Sequence, residues 1–183
     1  MVNKSSKKHI YQGRIREIEE NIIEFLVKIG KHRYLTPKFS MIFGYLLIHQ
    51  FLSQSELSDL TGYSIATISN TLRIMTNLRL ANKRLRPNSH EFEYYLFSEN
   101  LNLSNSNLTP QSSKFKLDAV QEAFDFFSQK KLELQNSNLN DKKGYLLLIQ
   151  RIEELLNFLI VWKSILEHQR TLLIEFMNKA NKN

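Results

Sequence analysis

Apolar residues recur at alternating steps of three and four along most of the chain, a spacing that predicts amphipathic helices. The first such run predicts a helix of about five turns that ends near Gly30. Its apolar positions are Ile15, Ile18, Ile22, Phe25 and Ile29. Pro37 suits the first turn of a second helix, whose residues are apolar nearly all round, as expected of a central core helix.

The next segment predicts two helices joined by a tight turn. Ser53 and Glu56 match a capping box that begins a short helix. Gly62 supplies the turn, and Ser64 caps a second helix. We expect the apolar side of that second helix to comprise Ile65, Ile68, Leu72 and Met75. This arrangement is typical of a helix-turn-helix unit.

The alternation of apolar and polar residues then changes from a helical period to a strand-like one. Two strand-like runs flank the sequence Pro87-Asn88-Ser89 and predict a β-hairpin. A polar, Asn- and Ser-rich stretch follows and predicts a linker. Helical periodicity returns over residues 114–135 and then over residues 141–179, the second run predicting one long helix.

These elements predict a mainly α fold, an α+β winged helix-turn-helix with N-terminal and long C-terminal dimerisation helices. Only five Gly and three Pro occur in 183 residues, which argues against a turn-rich all-β fold. The predicted regions are an N-terminal dimerisation helix (1–33), a winged helix-turn-helix DNA-binding domain (34–98), a linker (99–113) and a C-terminal helical dimerisation region (114–183).

Charge distribution favours a nucleic-acid partner more than the total charge of +7 does. Residues 60–90 contain five basic residues and no acidic residue, whereas the C-terminal half is nearly balanced. The five are Arg73, Arg79, Lys83, Arg84 and Arg86. A local basic stretch of this kind is the expected footprint of a phosphate-binding surface.

The second helix of the helix-turn-helix carries short polar side chains away from its apolar side. Asn and Arg there can read base edges in the major groove, and hydroxyls can contact phosphates. The basic hairpin would lie beside the same surface as a wing. The predicted contacts to double-stranded DNA are Ser64, Thr67, Ser69, Asn70, Arg73, Lys83, Arg84 and Arg86.

The segment Glu56–Arg73, ELSDLTGYSIATISNTLR, resembles the MarR superfamily of winged-helix regulators. Together with Arg151–Leu166, RIEELLNFLIVWKSIL, it is similar in particular to the branch typified by the glycine-betaine synthesis repressor. The resemblance implies a cytoplasmic homodimer that binds a pseudo-palindromic operator. It also implies a small-molecule effector, of unknown identity.

Two positions depart from that family pattern. Arg79 stands where the family usually has Gly after the recognition helix, and a positive φ there would cost about 1 kcal/mol unless Asn77 takes the turn. The hairpin tip, residues 87–91, lacks the family's Gly-Asp and Arg pair. Phosphate contacts are therefore expected of the wing, rather than insertion of an Arg into the minor groove.

The apolar stripes of the first and last helices predict a homodimer interface. The last helix repeats apolar residues over about nine turns, more than a single small domain needs for its core. Burial of the stripe within one chain is the alternative. The predicted interface residues are Ile15, Ile22, Ile29, Ile152, Leu155, Leu159, Trp162 and Leu166.

Neither enzymatic nor metal chemistry is expected. The chain has no Cys, its five His show no metal-ligand spacing, and no catalytic motif or cofactor-binding loop occurs. A run of C-terminal aromatic residues could line an effector pocket, but such residues are more often core. No apolar signal segment and no membrane-length apolar run occurs, so a cytoplasmic location without membrane contact is expected.

Two functions fit this pattern. The first is a sequence-specific transcription regulator that acts as a homodimer, with its recognition helix in the major groove and its wing on the DNA backbone. The alternative is a module that binds DNA without sequence preference, as architectural proteins do, or that binds another protein.

Overall fold

The computed structural model describes residues 11–32, 35–96, 110–137 and 142–180, and its elements form a mainly helical winged helix-turn-helix with a small sheet. This confirms the predicted fold class. The elements are α1 (Gly13–His32), α2 (Pro37–His49), β1 (Leu52–Ser53), α3 (Gln54–Thr61), α4 (Ile65–Asn77), β2 (Ala81–Leu85), β3 (Phe92–Leu96), α5 (Pro110–Gln135) and α6 (Lys142–Ala180). The chain divides into two compact units, Met1–Leu103 and Ser104–Asn183.

In the first unit, α1 packs closely on the core helix α2. Helix α1 ends at His32, two residues beyond Gly30 and close to the predicted end. Gly30 serves close packing instead, since a Cβ at this position would lie 2.0 Å from Ser40 Oγ. Gly44 on α2 leaves similar room for Ile23. Two glycines thus permit the approach of these helices.

A buried polar pair joins α1 to the end of α2. The side chains of Glu19 and His49 are hydrogen bonded and are 0% and 2% exposed. The ring of Tyr11 stacks on His49 with a centroid distance of 5.0 Å. Burial, together with the charges of Glu19 and Glu20, raises the pKa of the neighbouring Tyr45 to about 12. The pair thus adds a directional contact to an otherwise apolar helix interface.

The predicted helix-turn-helix and hairpin are both present. Ser53 and Glu56 form both hydrogen bonds of the capping box, and Gly62 ends α3 in the left-handed region at φ 74°. The hairpin joins a three-stranded antiparallel sheet in the order β1-β3-β2. Strand β1 was not predicted, because two residues are too few to show an alternating pattern.

The end of α4 settles which residue takes the left-handed turn. Arg79 has a φ of 56°. The Arg79 N–H donates to Thr76 O and the Leu80 N–H donates to Met75 O, both at 2.9 Å. This is the Schellman pattern, in which Gly is the favoured residue at the position that Arg79 occupies. The alternative that Asn77 takes the turn was wrong, since Asn77 lies within α4.

The second unit is an antiparallel helical hairpin of α5 and α6. Lys163 Nζ donates to Gln121 Oε1 at 2.8 Å, and Lys131 lies 2.8 Å from Glu153, so the two helices run in opposite directions. Helix α5 begins at Pro110, four residues earlier than predicted. The linker predicted over residues 99–113 therefore overlaps α5, and its remaining residues lie outside the described ranges.

The residues predicted for a dimer interface are largely covered within one chain. Ile15, Ile22, Ile152 and Leu166 are at most 2% exposed. Neighbouring helices of the same chain bury these four side chains. Half-buried positions make up the rest of the set: Ile29, Leu155, Leu159 and Trp162. A different group of apolar residues on α6 stays exposed.

None of the helices in the described ranges combines the length and apolar character needed to cross a membrane. The same ranges hold no group of three or more potential metal ligands.

Candidate nucleic-acid interface

Helix α4 is held by one face and presents the other to solvent. Ile68, Leu72 and Met75 are at most 1% exposed and anchor the helix in the core of the first unit. The Ser64 hydroxyl accepts a hydrogen bond from the Thr67 N–H and caps the N-terminus. Because the helix is capped and anchored, the backbone positions from which its outward side chains project are fixed.

Three of the predicted base-reading residues share that outward face. Ser69, Asn70 and Arg73 are all exposed, at spacings of three and four residues that bring them onto one side of the helix. Asn70 and Arg73 also contact each other, since Arg73 Nη2 donates to Asn70 Oδ1 at 2.9 Å. An exposed, preoriented Asn-Arg pair on a recognition helix is suited to base edges in a major groove.

The start of α4 differs from the prediction in two respects. Thr67 is half-buried and its hydroxyl lies 3.1 Å from that of Ser64, so it takes part in the cap. Ile65 was assigned to the apolar inner face, but it is 48% exposed. Ala66 beside it is exposed as well. The N-terminal turn of α4 thus displays two apolar side chains to solvent, which the sequence analysis missed.

The wing cations are largely paired with carboxylates. Arg84 Nε lies 2.6 Å from Glu93 Oε1, and Arg86 Nε lies 3.3 Å from the other oxygen of the same carboxylate. Arg86 Nη2 also lies 2.6 Å from Glu56 Oε2, and Nη1 lies 3.5 Å from Glu91. The stretch that contains no acid in sequence therefore acquires acidic partners in the fold.

These contacts shift the ionisation of the partners. Burial alone would raise the pKa of Glu56, but hydrogen bonds from the Ser53 backbone N–H and from Arg86 outweigh it and lower that pKa below its usual value. The hydrogen bond to Glu56 raises the pKa of Arg86, against a smaller opposing effect of burial. Both groups stay charged at neutral pH, and the ion pair joins α3 to the wing.

Aromatic rings hold two of the wing cations. The Arg84 guanidinium lies 3.7 Å above the centroid of the Phe51 ring, and Lys83 Nζ lies 4.5 Å above that of Phe92. The contact places the Lys83 ammonium over the Phe92 ring, and the residue as a whole stays exposed. Lys83 is thus better placed for a phosphate than Arg84 or Arg86, each of which would have to share its charge with a carboxylate.

The acidic partners Glu56 and Glu93 were missed from the sequence, although one signal pointed to Glu93. In the hairpin register Arg84 lies directly opposite Glu93. Cross-strand neighbours of opposite charge attract, so this pair follows once the turn is placed correctly. Glu56 gave no such signal, because its contact with Arg86 spans 30 residues.

No protein-family model and no curated protein sequence matches this chain. Among solved structures, it is similar to a protein described as a transcriptional regulator, with a TM-score of 0.39, 14% identity, and coverage of 89% of this chain and 99% of that one. It is also similar to a mutant of S. aureus MepR bound to an oligodeoxyribonucleotide, with a TM-score of 0.40, 16% identity, and coverage of 78% and 94%. Both scores are low, so the winged-helix description rests on the chain's own elements.

Proposed function

We propose that this chain is a MarR-like transcription regulator that binds double-stranded DNA sequence-specifically, with α4 in the major groove. The observation that carries the proposal is the outward face of α4. Ser69, Asn70 and Arg73 stand exposed on a helix that is capped at its N-terminus and anchored by buried residues. Rigid presentation of donors and acceptors at helical spacing is what direct readout of bases requires.

The pairing of the wing cations with carboxylates favours sequence-specific binding over binding without sequence preference. A protein that binds DNA without preference relies on many unpaired Lys and Arg side chains, since phosphate contacts supply nearly all of its affinity. Here Arg84 and Arg86 already face Glu93 and Glu56. We assign the wing a modest role on the DNA backbone, chiefly through Lys83, and we assign most of the discrimination to α4.

Homodimerisation is supported by a stripe of exposed apolar residues on α6, here termed the outer stripe. Its exposed fractions range from 39% to 71%. The members are Phe158, Val161, Ile165, Leu172 and Phe176. Steps of three, four and seven residues place them on one side of the helix over about 27 Å. Apolar residues that recur along one side of a helix over this length support an interface, with one interruption at His168 and Gln169.

A second copy of the chain is the partner that fits the outer stripe best. Two copies related by a two-fold axis each present the same stripe to the other, so the surface is its own complement. A two-fold dimer would also present two α4 helices to an inverted repeat, the arrangement that helix-turn-helix dimers use. Half-buried Leu155, Leu159 and Trp162 of the same helix would be secondary contacts beside this interface.

Selection from random double-stranded DNA at two salt concentrations tests the proposal. We expect enrichment of a short inverted repeat that survives the higher salt, because base contacts do not depend on counterion release. Sequence-blind binding that collapses at the higher salt would overturn the proposal in favour of the architectural reading. Absence of DNA binding at both salt concentrations would leave a protein-interaction module.

A further inference from the structure

The outward face of α4 displays two kinds of chemistry at separate positions. Ile65 and Ala66 form an apolar surface in its first turn, where Ile65 is 48% exposed. Asn70 and Arg73 form a hydrogen-bonded polar pair one to two turns later. An exposed isoleucine on the face assigned to the major groove can make an apolar contact with a base.

The Asn70–Arg73 hydrogen bond changes what Asn70 can read. An asparagine reads adenine by accepting from its N6 amino group and donating to its N7. In this structure Asn70 Oδ1 already accepts from Arg73 Nη2. The bond occupies one of the two lone pairs of that oxygen, so the pair offers mainly N–H donors outward, from the Asn70 amide nitrogen and the remaining guanidinium positions. Guanine presents two acceptors, O6 and N7, in the major groove and matches this donor-rich surface.

The apolar surface of Ile65 and Ala66 also matches one chemical group in the major groove. The C5-methyl group of thymine is the apolar feature of the major groove, and small or branched apolar side chains contact it. Ala66 and Arg73 are seven residues apart, which is about 10 Å along the helix axis. That distance corresponds to about three base steps of 3.4 Å. Ser69 lies between them, and its hydroxyl both donates and accepts, so it discriminates little.

We infer that each half-site contains a guanine read by the Asn70–Arg73 pair and, within about three base pairs of it, a thymine whose methyl group contacts Ile65 and Ala66. This inference rests on the proposed function, since it names the bases that the recognition helix reads. It also assigns Asn70 a role in orienting Arg73, in place of the independent contact with adenine that asparagine alone would make.

The experiment starts from the duplex that the selection enriches. In that duplex each guanine is replaced in turn by 7-deazaguanine, which lacks the N7 acceptor, and each thymine by deoxyuridine, which lacks the methyl group. Kd is measured by fluorescence anisotropy at one salt concentration. We expect about a tenfold loss at one guanine per half-site and a loss of several-fold at one thymine near it.

Matched protein variants identify which side chain reads which atom. In Arg73→Ala the 7-deazaguanine substitution should cause no further loss, and in Ile65→Ser combined with Ala66→Ser the deoxyuridine substitution should cause none. Asn70→Ala should reduce the preference for guanine over adenine at the same position. Thermal unfolding of each variant shows whether the fold is kept. A general loss of stability would weaken binding to every duplex equally, so it cannot remove the effect of one base substitution.

Two results separate the inference from the proposed function. If a sequence is enriched but 7-deazaguanine and deoxyuridine are tolerated throughout, the inference fails and sequence-specific binding stands. If adenine is required where guanine is expected, Asn70 reads bases by itself and the inference fails in the same way. If no sequence is enriched, the proposed function fails and the inference falls with it.

Discussion

Glu56 Oε2 accepts a hydrogen bond from the Ser53 backbone N–H at 2.7 Å and lies 2.6 Å from Arg86 Nη2. One carboxylate therefore caps the first helix of the helix-turn-helix and holds the last residue before the wing tip. The wing therefore does not move independently of the helix-turn-helix. Its base is tied to the N-terminus of α3, and any change at Glu56 acts on both elements.

Replacement of Glu56 by Gln should lower the free energy of unfolding by about 1 kcal/mol at neutral pH, the usual size of a helix-cap contribution. The side chain is 38% exposed, so solvent screening keeps the ion-pair part small. Urea unfolding followed by circular dichroism measures the difference. Glu91→Gln is the matched control, since its contact with Arg86 is longer at 3.5 Å and we expect a smaller effect.

The same variant should reveal a pH dependence. Because the pKa of Glu56 is lower in the folded chain than in the unfolded chain, its contribution is complete above the unfolded value. It is lost as the pH falls through the lowered folded value. The difference in unfolding free energy between the wild-type chain and Glu56→Gln should therefore shrink on acidification below pH of about 4. A difference that stays constant with pH would show that the carboxylate charge is not responsible.

Replacement of Arg79 by Gly should stabilise the chain by about 1 kcal/mol, because Gly adopts the left-handed conformation without steric cost. The gain should appear as a higher midpoint of urea unfolding with an unchanged slope. Arg79→Ala serves as the control, since it removes the same charge and keeps the unfavourable φ. Equal stability of the Gly and Ala variants would contradict the assignment of strain to this position.

Replacement of Gly30 by Ala should destabilise the first unit by about 1–3 kcal/mol, the typical cost of overpacking. The new Cβ would meet Ser40 Oγ and Cβ, at 2.0 and 2.9 Å, where the end of α1 packs on the start of α2. At Gly44 the nearest atom is instead the terminal methyl of Ile23 at 2.9 Å, which can rotate away. We therefore expect Gly44→Ala to cost less, and the reverse order would contradict the packing described for α1 and α2.

Replacement of Val161 and Ile165 by Glu should convert the proposed homodimer to a monomer by placing four charges in its two-fold apolar interface. Sedimentation velocity measures the change, and circular dichroism checks that the helices remain. Ile160→Glu is the matched control, because Ile160 is 53% exposed, much like Val161 at 59%, but lies off the outer stripe. A double variant that stays dimeric would place the interface elsewhere.

The sequence predicted correctly those features that a few neighbouring residues determine. The Ser53–Glu56 capping box, the Ser64 cap and the Gly62 turn all appear as predicted. Each depends on contacts within about four residues, which the sequence displays directly. The fold class followed from the order of these elements.

Contacts between residues that are far apart in the sequence could not be predicted. Helix α6 carries apolar residues on more than one side, and the sequence does not say which side faces α5. The stripe chosen for the dimer includes Ile152 and Leu166, which are buried within the chain. The candidate site shows the same limit, because the pairing of Arg86 with Glu56 arises only when the hairpin folds back on α3.

Arg73→Ala tests most directly whether α4 reads bases. Its Kd is compared with that of the wild-type chain on the selected duplex and on a scrambled duplex at one salt concentration, with Lys143→Ala as the control for loss of one exposed charge. We predict a loss of about tenfold or more on the selected duplex, and a loss on the scrambled duplex no larger than that of the control. Equal losses on both duplexes, or none on either, would contradict base reading by α4.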